Sequence, residues 1–168
     1  MKKLAKLSKC ENYRYWLCRC WDNKKPICLF IMLNPSTADD IEDDPTILVC
    51  MAFARLKGCG SLHVVNLFAW RTKNKDELEL QKDPIGKDND KWILSCCKVA
   101  DKIFVAWGES KYCDIGNRAK DVSDMLKKGD FEAFCIKKNK DGTPTHPLSC
   151  IRNLEPKKFS FEDMTINK

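Results

Sequence analysis

Asn34, Asn66 and His146 are the side chains whose types could act together, because each stands at or near the exit of a strand-like run: Ile31-Met32-Leu33-Asn34-Pro35-Ser36, Val64-Val65-Asn66-Leu67-Phe68 and Thr145-His146-Pro147-Leu148-Ser149. An Asn amide presents an acceptor and a donor in one plane, and a neutral imidazole gives one N–H. An amide oxygen can accept from a water but cannot take its proton. Strand exits are where open α/β sheets build ligand crevices. The residues lie far apart along the chain, so any joint site must be assembled by the fold.

The positioning elements follow from pattern. Residues 27–33 form a continuous apolar run, suited to a central parallel strand buried on both faces, and Pro35 stops it because proline brings no ladder donor. Asp44 as a cap and Pro45 in the first turn predict a helix over 46–56, closed by Gly58. Strands are predicted at 62–70, 102–107 and 131–136, helices at 88–99 and 115–126, and an edge strand or hairpin arm at 13–21. The order βαβαβαβ predicts an α/β three-layer sandwich, with a central, mostly parallel four-stranded sheet flanked by helices and right-handed crossovers. The 168 residues fit one domain, with a basic arm over 1–25, a core over 26–152 and a tail over 153–168.

Thirty Lys+Arg against 24 Asp+Glu give +6, a modest excess that favours a polyanionic partner. Eleven cysteines would frame a small secreted fold, but no signal-peptide pattern opens the chain, so a reducing cytoplasm is expected. No Cys-x-x-Cys occurs; Cys18/Cys20 and Cys96/Cys97 are too close for zinc pairs, with only His63 and His146 to complete a site. Four-cysteine iron–sulfur spacing is absent as well. Neither a metal nor a cofactor is expected, and no apolar stretch approaches the ~20 residues that span a membrane.

Leu33-Asn34-Pro35-Ser36-Thr37-Ala38-Asp39 with the late His146-Pro147-Leu148 resembles the signature of an uncharacterised bacterial and phage family. More remotely, residues 27–151 resemble the uracil-DNA glycosylase superfamily. Leu33-Asn34-Pro35 is similar to the Gly-Ile-Asn-Pro-Gly of its mismatch-specific branch, and Val65-Asn66-Leu67-Phe68 to its Leu-Leu-Asn-Thr-Val-Leu-Thr. Val105-Ala106-Trp107-Gly108 is similar to its Leu-Leu-Trp-Gly strand, and His146-Pro147-Leu148-Ser149 to its His-Pro-Ser-Pro-Leu-Ser loop, shortened by a Ser-Pro.

The resemblance implies a glycosylase-like fold and a set of roles. Asn34 would orient the attacking water, Asn66 would read a flipped pyrimidine edge, and His146 would donate to the departing base. Ser36 stands where uracil-specific members place a Tyr over C5, so room for a C5 substituent is expected. Leu148 would wedge into the base stack and Ser149 would belong to the phosphate-pinching loop. From the residues themselves, Phe68 and Trp107 are candidate stacking partners, and Arg71, Arg118, Lys137 and Lys138 candidate phosphate contacts.

The expected activity is a metal-independent DNA glycosylase, a monomer acting on duplex DNA with a flipped base. It would excise a modified or mismatched pyrimidine, one carrying a hypermodified phage cytosine included, in repair or anti-phage defence. Two alternatives stay open: a non-catalytic nucleic-acid or nucleotide-binding module, and a metal-assisted hydrolase built on the acidic turn from Asp39 to Asp44. Asn66 satisfying a backbone group at its strand end, and His146 as an ordinary structural histidine, are the corresponding alternatives at the site.

Overall fold

The computed structural model describes residues 1–36, 38, 39, 41–150 and 155–164, the side chain of Asp163 aside. Thr37, Asp40 and the ends of the expected core and tail, 151–154 and 165–168, lie outside the described residues.

The strands are β1 (Lys2–Leu7), β2 (Arg14–Cys20), β3 (Ile27–Met32), β4 (Ser61–Asn66), β5 (Lys102–Val105), β6 (Ala133–Cys135) and β7 (Lys157–Lys158), in one sheet of order β1-β2-β4-β3-β5-β6-β7. The helices are α1 (Pro45–Leu56), α2 (Glu77–Leu80), α3 (Asn89–Val99), α4 (Ser110–Cys113) and α5 (Arg118–Lys128). The α/β class expected from the alternation is therefore present, but the sheet has seven strands rather than four. Pairs β4-β3, β3-β5 and β5-β6 are parallel, whereas β1-β2, β2-β4 and β6-β7 are antiparallel.

Two of the three extra strands, β1 and β2, come from the segment expected to be a basic arm, and the third, β7, from the expected tail. β1 takes the edge and β2 moves inside, with Arg14 and Arg19 buried rather than solvated. Arg19 tolerates this because Asp43 lies 2.5 Å from its Nε, the Asp39 and Glu42 carbonyls accept from its Nη2, and the Cys18 and Leu4 carbonyls accept from its Nη1.

The apolar run of β3 is explained by burial on both sides. Cys28, Phe30 and Met32 pack with Ile47, Cys50 and Phe53 of α1 on one face. Leu29 and Ile31 pack with Ile93 and Cys97 of α3 and with Val122 and Leu126 of α5 on the other. This is the alternation that a pleated strand imposes. Asp44 caps α1 as expected, its carboxylate accepting from the Ile47 N–H at 2.9 Å, with Pro45 in the first turn.

Strands end sooner than their apolar runs. Beyond Asn66 the N–H groups of Leu67 and Phe68 still donate to the Met32 and Leu33 carbonyls, at 2.8 and 2.9 Å, while the freed carbonyls of Asn66 and Leu67 accept from the buried Asn89 amide at 3.0 and 2.9 Å. Asn89 thus satisfies backbone groups that the ladder leaves behind. Among the described residues no helix is long and apolar enough to cross a membrane.

Candidate functional site

The exits of β3 and β5 and the loop after β4 converge on a cavity of about 400 Å³, within the usual range for small-ligand sites. It opens where the chain switches from placing helices on one sheet face to the other, α1 following β3 and α3 following β4. Asn34 and His146 both line it.

Asn34 is held by two carbonyls. Its Nδ2 donates to Pro35 O at 3.1 Å and to Thr72 O at 2.9 Å, which ties the β3 exit to the loop after β4. Two acceptors on the same side fix which end of the amide is nitrogen. The Oδ1 is left as the acceptor available to the cavity, the group needed to orient a water.

His146 is delivered by a cross-linked turn. Thr145 N–H donates to Lys137 O at 2.9 Å, Asn139 Nδ2 to Thr143 Oγ1 at 2.9 Å, and Thr145 Oγ1 to Asn139 Oδ1 at 2.9 Å. Gly108, with φ near +90°, donates its N–H to Pro144 O at 2.8 Å and brings the β5 exit against the same turn. The His146 Nδ1 then accepts from the Leu148 N–H at 3.3 Å, so the proton of the neutral ring belongs on Nε2. Burial, with Lys75 nearby and against the opposing pull of Asp44, pushes the imidazole pKa down to about 4. His146 is therefore a neutral donor at physiological pH.

Asn66 is buried, 1% exposed, on the same sheet face as its register partner Met32, which lines the cavity. Neither Oδ1 nor Nδ2 of its amide has a hydrogen-bond partner. An amide stripped of water with nothing in exchange costs about 1–3 kcal/mol per group. It does not serve a strand-end backbone group, because Asn89 does that work.

The remaining expected site residues divide. Ser36, Leu148 and Ser149 line the cavity, Leu148 being 54% exposed at its mouth. Phe68 and Trp107 do not: both are fully buried in the core under α3 and α5, Trp107 stacking on Phe161. Past the strand ends the pleat no longer sets which way a side chain faces, and both rings turn to hydrocarbon. Arg118 is also corrected, since it is 2% exposed, with Nε donating to Leu67 O at 2.7 Å and Nη2 to Asp90 at 2.5 Å. It clamps α5 to α3 and the β4 exit and has no free fork for phosphate. Arg71 donates to Glu11 O at 3.1 Å outside the cavity, Lys137 is exposed, and Lys138 lies over Phe159.

Arg14, Lys73, Lys75 and Glu109 line the cavity without having been anticipated. Glu109 was within reach of the sequence, as the acidic residue after the Gly that ends a strand, and Lys73 and Lys75 as the basic pair in the loop after β4. Nothing local marked Arg14. The acidic turn is structural: Asp39 accepts from the Ile41 and Glu42 N–H groups, Asp43 pairs with Arg19 and Lys3, and Asp44 caps α1, while Asp40 lies outside the described residues. A larger groove of about 940 Å³ between α5 and β6–β7 holds none of the three strand-exit groups.

No curated protein and no solved structure matches the chain. Residues 14–148, which include every group named at the cavity except Ser149, match the model of a family described as "Protein of unknown function (DUF1643)".

Proposed function

Because this chain belongs to the DUF1643 family, a membership that fixes no chemistry, we propose from its cavity that it is a metal-independent DNA glycosylase, excising a modified or mismatched pyrimidine from DNA. The observation that carries this proposal is the orphaned amide of Asn66, which does not itself line the cavity but is buried one strand over from Met32 at its wall, while Asn34 and His146 line it with a free Oδ1 and a neutral donor. A buried donor–acceptor pair in one plane is complementary to a pyrimidine edge, which would repay its desolvation. The parallel run β4-β3-β5-β6, with its site at the strand exits, supports the likeness to the uracil-DNA glycosylase superfamily.

In the proposed reaction the base is flipped into the cavity and its edge pairs with Asn66. The glycosidic bond breaks with its electron pair going to the base nitrogen, and the His146 Nε2–H donates to the resulting anion. Asn34 Oδ1 accepts from the water whose oxygen attacks the sugar carbon. Asn34 cannot take that water's proton, and Glu109, the N-cap residue of α4, is the cavity carboxylate whose side chain makes no capping hydrogen bond and forms no ion pair among the described residues. Glu109 is assigned as the proton acceptor. Ser36 leaves space at the wall, which supports a substrate with a C5 substituent.

Incubating duplexes that carry modified cytosines, thymine mismatches or uracil, with and without EDTA, and scoring alkali-labile sites tests the proposal. Cleavage that survives chelation and falls in Asn34→Ala, Asn66→Ala and His146→Ala is the expected outcome. Retained binding without abasic sites would favour a non-catalytic module, and EDTA sensitivity a metal-assisted hydrolase.

A further inference from the structure

Arg14 is a buried cavity cation that this chemistry leaves unused. Arginines 14, 19 and 118 are all buried. Arg19 has Asp43 at 2.5 Å and Arg118 has Asp90 at 2.5 Å. Arg14 has no carboxylate within ion-pair distance among the described residues. Its Nη1 donates to Ala38 O at 2.6 Å, and its Nε finds no partner. It is 2% exposed, and it is the one of the three that lines the cavity.

A guanidinium withdrawn from water without a counter-ion is costly, and proteins retain buried cations where something pairs with them. Burial lowers the Arg14 pKa to about 10, against the pull of Asp44, so the group is still a cation at neutral pH. Lys73 and Lys75 add positive charge to the same cavity, whose opposing carboxylates are Asp44 and Glu109. Asp44 is already engaged as the α1 cap.

We infer that the cavity contains an oxyanion subsite seated on Arg14, which takes a phosphate or carboxylate carried by the ligand. The planar guanidinium matches either group in two-point fashion. This subsite rests on the cavity being the ligand site proposed above, but not on bond cleavage there. The oxyanion has two possible sources, the phosphate of a nucleotide or an acidic substituent on its base.

Titrating the full chain with inorganic phosphate, deoxycytidine, deoxycytidine 5′-monophosphate and 5-carboxydeoxycytidine tests this, by calorimetry and by the ¹⁵N-arginine Nε–H signals. Phosphate is expected to move one buried Nε–H signal, assigned by its loss in Arg14→Lys. One of the two anionic nucleosides is expected to bind at least tenfold tighter than deoxycytidine, and which one does so names the source. Arg14→Met should erase that preference; if it does not fold, the wild-type signals and Arg14→Lys, which keeps charge but loses the fork, still read the subsite. Equal affinities for neutral and anionic nucleosides, no binding of any anionic probe, or an Arg14 signal that no anion moves would overturn the inference. Oxyanion binding at Arg14 without base excision would sink the glycosylase and keep the subsite; excision with no anion preference would do the reverse.

Discussion

The Leu148 N–H donates to His146 Nδ1 at 3.3 Å, and this contact within one turn decides what the imidazole can do. It occupies the nitrogen that would otherwise accept, and it leaves the Nε2–H for the cavity. The same turn carries Leu148, 54% exposed, at the cavity mouth. Donor and wedge candidate thus move as one unit.

The low pKa of His146 predicts a broad acid tolerance. Burial, the main cause, favours the neutral ring down to about pH 4. Activity measured as single-turnover excision should hold from pH 7 to about pH 5 and fall only as pH 4 is approached. The linkage sign is the same for stability: between the unfolded value of about 6.5 and the folded value of about 4 the unfolded chain binds the extra proton, so stability declines as pH drops through that window. His146→Gln should flatten this part of a denaturation profile, and an unchanged slope would show that the ring is not buried neutral.

Asn66→Leu should stabilise the chain while removing function. The orphaned amide costs about 1–3 kcal/mol, which an apolar side chain of similar size recovers. Urea midpoints should rise, and base excision or nucleoside binding should fall by at least tenfold. A loss of stability in Asn66→Leu would mean that the amide has a partner in the free protein.

The Arg19–Asp43 pair predicts the opposite behaviour. Asp43→Ala leaves the Arg19 cation buried with only carbonyls as partners. A destabilisation of about 3–5 kcal/mol is expected from removing one member of such a pair. Thermal unfolding reads it, and a shift of under a degree would show that the carbonyls suffice.

Arg118 should behave as a structural residue. Arg118→Met is expected to lower the melting temperature without changing the salt dependence of DNA binding, because its guanidinium is committed to Leu67 O and Asp90. Lys73→Ala and Lys75→Ala at the cavity should each reduce the salt slope by about one. If Arg118→Met flattens the slope and the lysine variants do not, the placement of the DNA face is wrong.

Several features were legible because their causes are local. Proline after Asn34 ends a ladder by removing a donor, and an Asp before a Pro at a helix start caps it, wherever the rest of the chain goes. The exits of β3 and β4 and the late His turn could be marked for the same reason. Residues 13–21 were harder. Alternation of Arg with aromatics reads as an edge strand, and only the pairing of β1 outside it, with Asp43 folded back onto Arg19, shows why β2 can lie inside.

The sequence by itself determined the α/β alternation, the apolar strands and which polar residues wait at their ends, since these depend on periodicity and on neighbours in the chain. Tertiary structure alone decided which of those residues meet. Asn34 and His146 share a cavity because Thr72 holds the Asn34 loop to the segment after β4 and Gly108 holds the His146 turn to the exit of β5, beside β3, while Phe68 and Trp107 turn into hydrocarbon a few residues away. Arg14 and Arg118 carry the same charge, yet one faces the cavity and the other faces Asp90. The physical reason is that the orientation of a side chain beyond a strand end, and the partner of a buried charge, are set by packing from distant segments.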